Sequence, residues 1–286
     1  AVRDPKMLRD DSYQVSACWL ALRLDPAKTV FYRQSDVPEI LELATLLAAV
    51  TPKGLMDRSH AYKAAMDKNR EDGRDDPDHG VNMGLYTYPI LMAADILMAQ
   101  ADIVPVGKDQ VQHIEFARDM AGYFNNAFEP VFKLPGYQIE KEGAALPGID
   151  GRKMSKSYNN HIPVFMDSAQ RRKLIMKIVT DSKLPNEPKN PDENSIYQMY
   201  SRFAGADDAA VMRDAFVNGK MGYGDAKKML ADVLDRYFEE PTKKYHALIA
   251  SPQKIDDFLA AGAAEARKIA RKTLSAARAA AGLRSF

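Results

Sequence analysis

Ile103-Val104-Pro105-Val106-Gly107-Lys108-Asp109-Gln110 is the run whose reading decides the fold. Four apolar residues of β character meet a glycine, then a polar triplet, and helical periodicity follows to about Phe124. A short strand that ends on glycine and passes into a helix N-terminus is the unit of an open α/β sheet. Such sheets bind ligands beyond the carboxyl ends of their strands. Asp109 has two compatible readings there, a helix N-cap and a ligand contact.

On the upstream side, Tyr88-Pro89 opens a helix over Ile90–Gln100. Tyr88, Met92, Asp95, Ile96 and Ala99 recur at steps of three and four, so they share a face. Asp95 is a carboxylate in an apolar stripe, and a buried carboxylate needs a donor. An arginine, a backbone cap or a ligand could supply it. Earlier still, Met7–Leu24 reads as a helix with apolar Met7, Leu8, Val15, Cys18, Trp19 and Leu22, ended by Asp25-Pro26. Val30-Phe31-Tyr32 reads as a short strand, and Gln34-Ser35-Asp36 leads into a helix through Ile40–Val50. Helix, strand and helix in that order belong to a parallel α/β unit. Thr51–Gly84 is polar and weakly periodic. Its Glu71–Gly80 part reads as an exposed loop, because its carboxylates lack any regular ligand spacing.

On the downstream side, Pro130–Leu146 reads as a strand-rich connection into Leu146–Asn159, LPGIDGRKMSKSYN. Lys153-Met154-Ser155-Lys156-Ser157 puts two lysines and two serines in five residues, behind Gly148 and Gly151. Glycines let backbone N–H groups approach an anion, and lysines supply mobile charges for a polyphosphate. The plain alternative is a solvated basic loop. Beyond His161 the chain turns helical: Ser168–Val179, Ser195–Phe203, Ala209–Phe216, Gly224–Phe238, Thr242–Ala250 and Ile255–Ala281. The division expected is therefore 1–161, α/β, and 162–286, helical. The last helix carries Lys254, Arg267, Lys268, Arg271, Lys272, Arg278 and Arg284. These read as a solvated face or as a surface that tracks RNA phosphates.

Composition sets broad limits. The 286 residues are 46% hydrophobic and 28% charged, which suits one large or two modest globular domains. Lys and Arg number 40 against 39 Asp and Glu, so any nucleic-acid surface must be a local patch. One cysteine, Cys18, excludes an internal disulfide and a thiolate zinc site; beside Trp19 it reads as a core residue, and it fits a reducing cytoplasm. Five scattered histidines have no ligand spacing. No apolar run approaches the roughly 20 residues of a membrane span. Ala1-Val2-Arg3-Asp4-Pro5 is no signal peptide and reads like the middle of something.

Three motifs carry a resemblance. Lys153-Met154-Ser155-Lys156-Ser157 matches, letter for letter, the second signature of the class I aminoacyl-tRNA synthetases. With Tyr88-Pro-Ile-Leu-Met-Ala-Ala-Asp95 and Asp102-Ile-Val-Pro-Val-Gly-Lys-Asp-Gln-Val-Gln-His113 in order, and with Ile178-Val-Thr-Asp-Ser182, the chain resembles the bacterial tryptophanyl-tRNA synthetases. The tyrosyl enzymes lack the VPVGxDQxQH pattern.

The resemblance implies a Rossmann-like parallel-sheet catalytic domain over 1–161 and a helical anticodon-binding domain over 162–286. It implies attachment of tryptophan to tRNA(Trp) through an adenylate, with ATP as substrate and Mg²⁺ as its companion. By the same resemblance Asp95 accepts the indole N–H, and Tyr88, Met92, Ile96, Val104 and Val106 form an apolar slot. Gln110, with Tyr88, holds the ammonium. Gly107, Lys108 and Asp109 contact ATP ribose, Met154 and Leu146 the adenine, and Lys153, Ser155, Lys156 and Ser157 the pyrophosphate. A cytoplasmic homodimer without membrane attachment is also implied. Lys108 stands where the family usually has Glu. The family's first motif, of HIGH type, is expected on a segment ahead of Ala1, with the first strand of the sheet. Two other readings stay open: a small-molecule nucleotidyltransferase of the same superfamily, and a non-catalytic paralogue that binds nucleotide or RNA.

Overall fold

A computed structural model describes residues 4–139 and 146–284. Part of the expected Pro130–Leu146 connection, 140–145, lies outside the described residues. The chain forms two compact units: Ala1–Asp25 with Glu142–Ile255, and Pro26–Lys141 with Asp256–Phe286.

The second unit holds the α/β part. Helix α2 (Glu39–Val50), α3 (Lys53–Met56), α4 (His60–Glu71) and α5 (Met83–Met98) lead to strand β1 (Ile103–Val106); α6 (Val111–Ala127) then crosses to β2 (Gly136–Ile139). The strands pair in parallel, Ile103 with Gly136 through Val106 with Ile139. This is the βαβ arrangement expected from the Ile103–Gln110 run. Val30–Tyr32 departs from expectation: the segment has no ladder partner among the described residues and is not a strand. Helix α5 also begins earlier than expected. Asn82 caps it by accepting the Leu85 N–H at 3.0 Å, and Pro89 lies inside it. The polar Thr51–Gly84 stretch hides α4, which buries only Tyr62 and Asn69. Asn69 donates to the carbonyls of Pro77 and His79, tying down the exposed Glu71–Gly80 loop.

The core of this unit joins Ile40, Leu43 and Leu47 of α2, Ala93 and Leu97 of α5, and Met120 and Phe124 of α6. Ala266, Ala270 and Leu274 complete it from the last helix, α11 (Pro252–Ala280). Phe128 and Phe132 each approach Phe124 with 4.9 Å between ring centroids. Asn125 and Gln100 bind the backbone of Val131–Lys133 and deliver the chain to β2.

The first unit is helical: α1 (Pro5–Ala21), α7 (Ser168–Met176), α8 (Ser195–Phe203), α9 (Ala206–Val217) and α10 (Tyr223–Ile249). Its core includes Ile175, Ile196, Met199, Met212, Phe216, Leu230 and Leu234. The expected helices Gly224–Phe238 and Thr242–Ala250 are one continuous helix, with Pro241 inside it. Buried Arg171 joins α7 to α10 through Asp235 at 2.6 Å.

These units do not follow a cut at 161/162. Helix α1 packs on α10 through Ser16, Ala17, Leu20 and Ala21, leaving Met7, Leu8, Val15, Trp19 and Leu22 exposed. The larger residues expected in its core face are thus outside, and Cys18 is half-buried. Helix α11 belongs mainly with the α/β unit because its alanine stripe fills that core. Three of its arginines are tied into ion pairs while staying partly solvated. Arg267 and Arg271 both bind Glu39, and Arg278 binds Glu42. Among the described residues no helix is long and apolar enough to cross a membrane.

Candidate functional site

The first group of site residues lies in the α/β unit. On α5 the buried side is Pro89, Ile90, Ala93, Ala94, Leu97 and Met98. Tyr88, Met92, Asp95 and Ile96 lie beside that core face and are half-buried. This resolves the carboxylate in an apolar stripe: the stripe is partly open. Gln34 Nε2 donates to Asp95 Oδ2 at 2.6 Å. The donor is thus neither an arginine nor a backbone cap. Burial pushes the Asp95 carboxyl above its ordinary range, and the Gln34 hydrogen bond pulls it back only in part. The Tyr32 hydroxyl is raised by burial and then by the Asp95 charge, which places the two groups together.

Tyr88 meets His113 of α6 edge to face, with centroids 5.6 Å apart. Burial lowers the imidazole's affinity for a proton, His60 lowers it further, and Asp109 opposes both. His113 Nδ1 is buried with no hydrogen-bond partner among the described residues. At the carboxyl end of β1, Val106 is buried and Val104 half-buried, while Gly107, Lys108, Asp109 and Gln110 are exposed. Lys108–Gln110 forms one 3-10 turn that runs directly into α6. Asp109 caps neither that turn nor α6, so the capping reading fails. Its side chain folds back over Gly107, where a Cβ would stand 2.7 Å from Asp109 Oδ1.

The second group is the lysine–serine loop, which the contacts place with the helical unit. Leu146, Ile149 and Met154 pack against its core, and Val179 N–H donates to Ile149 O at 2.8 Å. An apolar cavity of about 140 Å³, lined in part by Leu146, Met154, Ile162 and Phe203, lies under the loop. Pro147 and Lys153 form an antiparallel bridge, and Gly151 turns the chain at φ 82°. Lys153, Lys156 and Ser157 are exposed, and Ser155 is half-buried. The Oγ atoms of Ser155 and Ser157 are 2.7 Å apart. Lys156–Tyr158 is a 3-10 turn, and Asn159 reverses the chain in the left-handed region at φ 50°. Arg152 pairs with Asp150 at 2.7 Å and lies over the Tyr158 ring.

The structure therefore gathers Lys153, Met154, Ser155, Lys156 and Ser157 into one loop with Leu146 at its base, and sets Asp95 with Gln34. The sequence reading names none of Gln34, Tyr32 and Asn160 as a site residue, and His113 only as the end of a motif. Gln34 hid in a lead-in to a helix, and Asn160 stands one residue past the quoted loop.

The family model for tRNA synthetases class I (W and Y) matches residues 2–239. A tryptophan–tRNA ligase of Neisseria meningitidis is 48% identical over 281 residues, 98% of this chain and 83% of that protein. One from Pseudomonas aeruginosa is 51% identical over 286 residues, 99% of this chain but 63% of its own length. The chain thus spans less than two thirds of some of the relatives it matches. A crystal structure of the Campylobacter jejuni tryptophanyl-tRNA synthetase with ADP and tryptophan superposes with a TM-score of 0.88 at 39% identity, over 99% of this chain and 86% of that one. With the parallel βαβ unit, the Asp95 stripe and the Lys153–Ser157 loop in place, the chain belongs to the class I tRNA synthetases (W and Y), among the tryptophan–tRNA ligases.

Proposed function

We propose that the protein attaches L-tryptophan to tRNA(Trp) with ATP, through tryptophanyl adenylate, releasing pyrophosphate and then AMP. The observation that carries this reading is Asp95: a half-buried carboxylate among Tyr88, Met92 and Ile96, held by one side-chain amide. A flat apolar slot with one acceptor suits an indole, whose N–H is a donor only. A substrate without that N–H leaves the carboxylate unpaired and is rejected.

In the first step a carboxylate oxygen of tryptophan attacks the α-phosphorus of ATP, and the bond to pyrophosphate breaks. No protein nucleophile is needed, so catalysis is positioning and stabilisation of charge moving onto the leaving group. Lys153 and Lys156 carry that charge-stabilising role, with Ser155 and Ser157 as short donors. Gln110 and Tyr88 hold the ammonium, Val104 and Val106 line the slot, and Gly107, Lys108 and Asp109 face ribose. Met154 and Leu146 meet the adenine. In the second step a ribose hydroxyl of the tRNA attacks the adenylate carbonyl and AMP leaves. Mg²⁺ is proposed to arrive bound to the ATP phosphates; among the described residues no three His, Cys, Asp or Glu side chains gather to hold it alone. We also assign the helical segment after Ile162 to the tRNA anticodon, and the protein to the cytoplasm as a homodimer, on the family likeness.

Tryptophan-dependent ATP–pyrophosphate exchange by the full protein tests the reading, with tyrosine and phenylalanine as controls. Exchange with tryptophan alone supports it. Exchange driven by tyrosine moves the specificity to the sister enzymes, and no exchange overturns the adenylation chemistry.

A further inference from the structure

The structure assigns Asn160 as the positioning residue of the phosphate loop, a role that rests on the reading of Lys153–Ser157 as the pyrophosphate-holding segment. Apart from the Pro147–Lys153 bridge and the Met154 N–H donated to Leu146 O at 2.8 Å, Lys153–Ser155 has no regular secondary structure, and side chains must complete the fixing of its backbone. Asn160 is 2% exposed and lies behind it. Its Oδ1 accepts the Ser155 N–H at 2.7 Å. Its Nδ2 donates to Lys153 O at 3.1 Å and to Asp150 Oδ1 at 2.7 Å. One amide thus grips the chain on both sides of Met154. Its own carbonyl accepts the Ile149 N–H at 2.9 Å, closing the far strand of the loop.

Three neighbours make this arrangement specific to asparagine. Asp150 needs a donor, so the NH₂ end must face it and the carbonyl end must face Ser155. The Asn160 bond is the largest influence holding the Asp150 carboxyl below its usual range, with Arg152 adding to it and desolvation opposing. Gly148 leaves the space: a Cβ there would stand 2.3 Å from Asn160 Nδ2. Asn159, in the left-handed conformation, turns the chain so that its successor points back under the loop.

The consequence for chemistry is a division of labour. The Ser155 N–H is spent on Asn160, and the Ser155 Oγ is engaged with Ser157. The groups that remain for a polyphosphate are the exposed Lys153 and Lys156 side chains and the one hydroxyl hydrogen that the Ser155–Ser157 pair leaves free, all carried on a backbone that is already set. Preorganised charge of this kind lowers the barrier more than it raises ground-state affinity.

Asn160→Asp keeps the shape and the acceptor but removes both donors, and sets a second carboxylate against Asp150. Gly148→Ala leaves the amide in place chemically and displaces it sterically. For both, exchange should lose kcat by about 10-fold or more, with KM for ATP within about 3-fold, since removed hydrogen bonds to a positioned group act on the transition state. Limited trypsin cleavage after Lys153 and Lys156 should speed up by a similar factor, while the thermal midpoint and tryptophan binding stay near wild type. Wild-type kcat and wild-type cleavage in both variants would overturn the assignment. So would cleavage that rises everywhere with a falling midpoint, which marks a merely structural residue. If the wild-type protein gave no exchange, the reading of the loop would fail, and the cleavage comparison would still decide whether Asn160 holds it.

Discussion

Gln34 Nε2 lies 2.6 Å from Asp95 Oδ2, so a side chain just ahead of α2 sets the direction of a carboxylate in the last turn of α5. The pair decides what Asp95→Asn would do. The Gln34 donor would claim the new carbonyl oxygen and turn the NH₂ toward the indole N–H, donor against donor. Asp95→Asn should therefore fail almost as badly as Asp95→Ala. Each should reduce discrimination for tryptophan over phenylalanine by roughly 10- to 100-fold, the worth of a hydrogen bond to a charged group. Competitive exchange assays measure the ratio. Unchanged discrimination in Asp95→Ala would remove Asp95 from the tryptophan site.

Asp95 also sets a pH dependence. Its carboxyl is raised above 3.8 by burial, less the opposing pull of Gln34. The folded protein therefore holds this proton more tightly than the unfolded chain does. The group's contribution to stability is complete below about its unfolded value and is lost as pH rises through the raised folded value. Asp95→Asn should accordingly raise the denaturation midpoint at pH 7 and not at pH 3. Tryptophan binding moves the other way, since only the ionised form is a pure acceptor: affinity should fall as pH drops through the raised value. Calorimetric titration of tryptophan across that range reads it directly.

Glu39 gives the opposite sign. It is 7% exposed, and Arg267 Nε and Arg271 Nε reach it at 2.9 and 3.0 Å. Burial opposes its charge, but its own backbone N–H and the two arginines outweigh that and hold the carboxyl below 4.5. Its contribution is present above the unfolded value and is lost as pH falls through the lower folded one. Glu39→Gln should cost about 1–3 kcal/mol at pH 7, because the arginines are half-exposed and rehydrate in part. In urea unfolding the gap to wild type should close toward pH 3. A gap that is constant with pH would mean that packing, not charge, holds α11 to α2.

The parts legible in sequence were those in which one local pattern fixes one local outcome. Apolar Ile103–Val106 before Gly107 gave a strand, a turn and a helix. Two lysines and two serines between Gly151 and Asn159 gave an exposed loop. What stayed hidden depends on partners far along the chain. Val30–Tyr32 has strand composition, but a strand needs a neighbour to pair with. Helix α4 carries too few apolar residues to show a stripe. The arginines of α11 look like a solvated or RNA-binding face until Glu39 and Glu42, more than 200 residues away, are seen beside them. Gln34 and Asn160 are neutral amides, and nothing in an amide's neighbours announces which charged group it will hold.

Helix α11 carries one further test, in which two glycines of the same unit should respond with opposite sign. In a solvated helix interior, Gly→Ala stabilises by about 0.5–1 kcal/mol through lost unfolded-state entropy. Gly122 of α6 meets that condition, since nothing stands within 4 Å of an added Cβ, and Gly122→Ala should raise the urea midpoint. At Gly262 the same Cβ would stand 1.9 Å from Phe31 O and 2.6 Å from Phe31 C. Those are backbone atoms and cannot swing aside, so the helix or the Val30–Arg33 segment must move. That segment leads straight to Gln34, so the strain reaches Asp95. Gly262→Ala should destabilise by about 1–3 kcal/mol, as overpacking does, and should weaken tryptophan binding as well. Stabilisation by both substitutions would show that α11 does not press on the Phe31 backbone, and would separate that contact from the setting of Asp95.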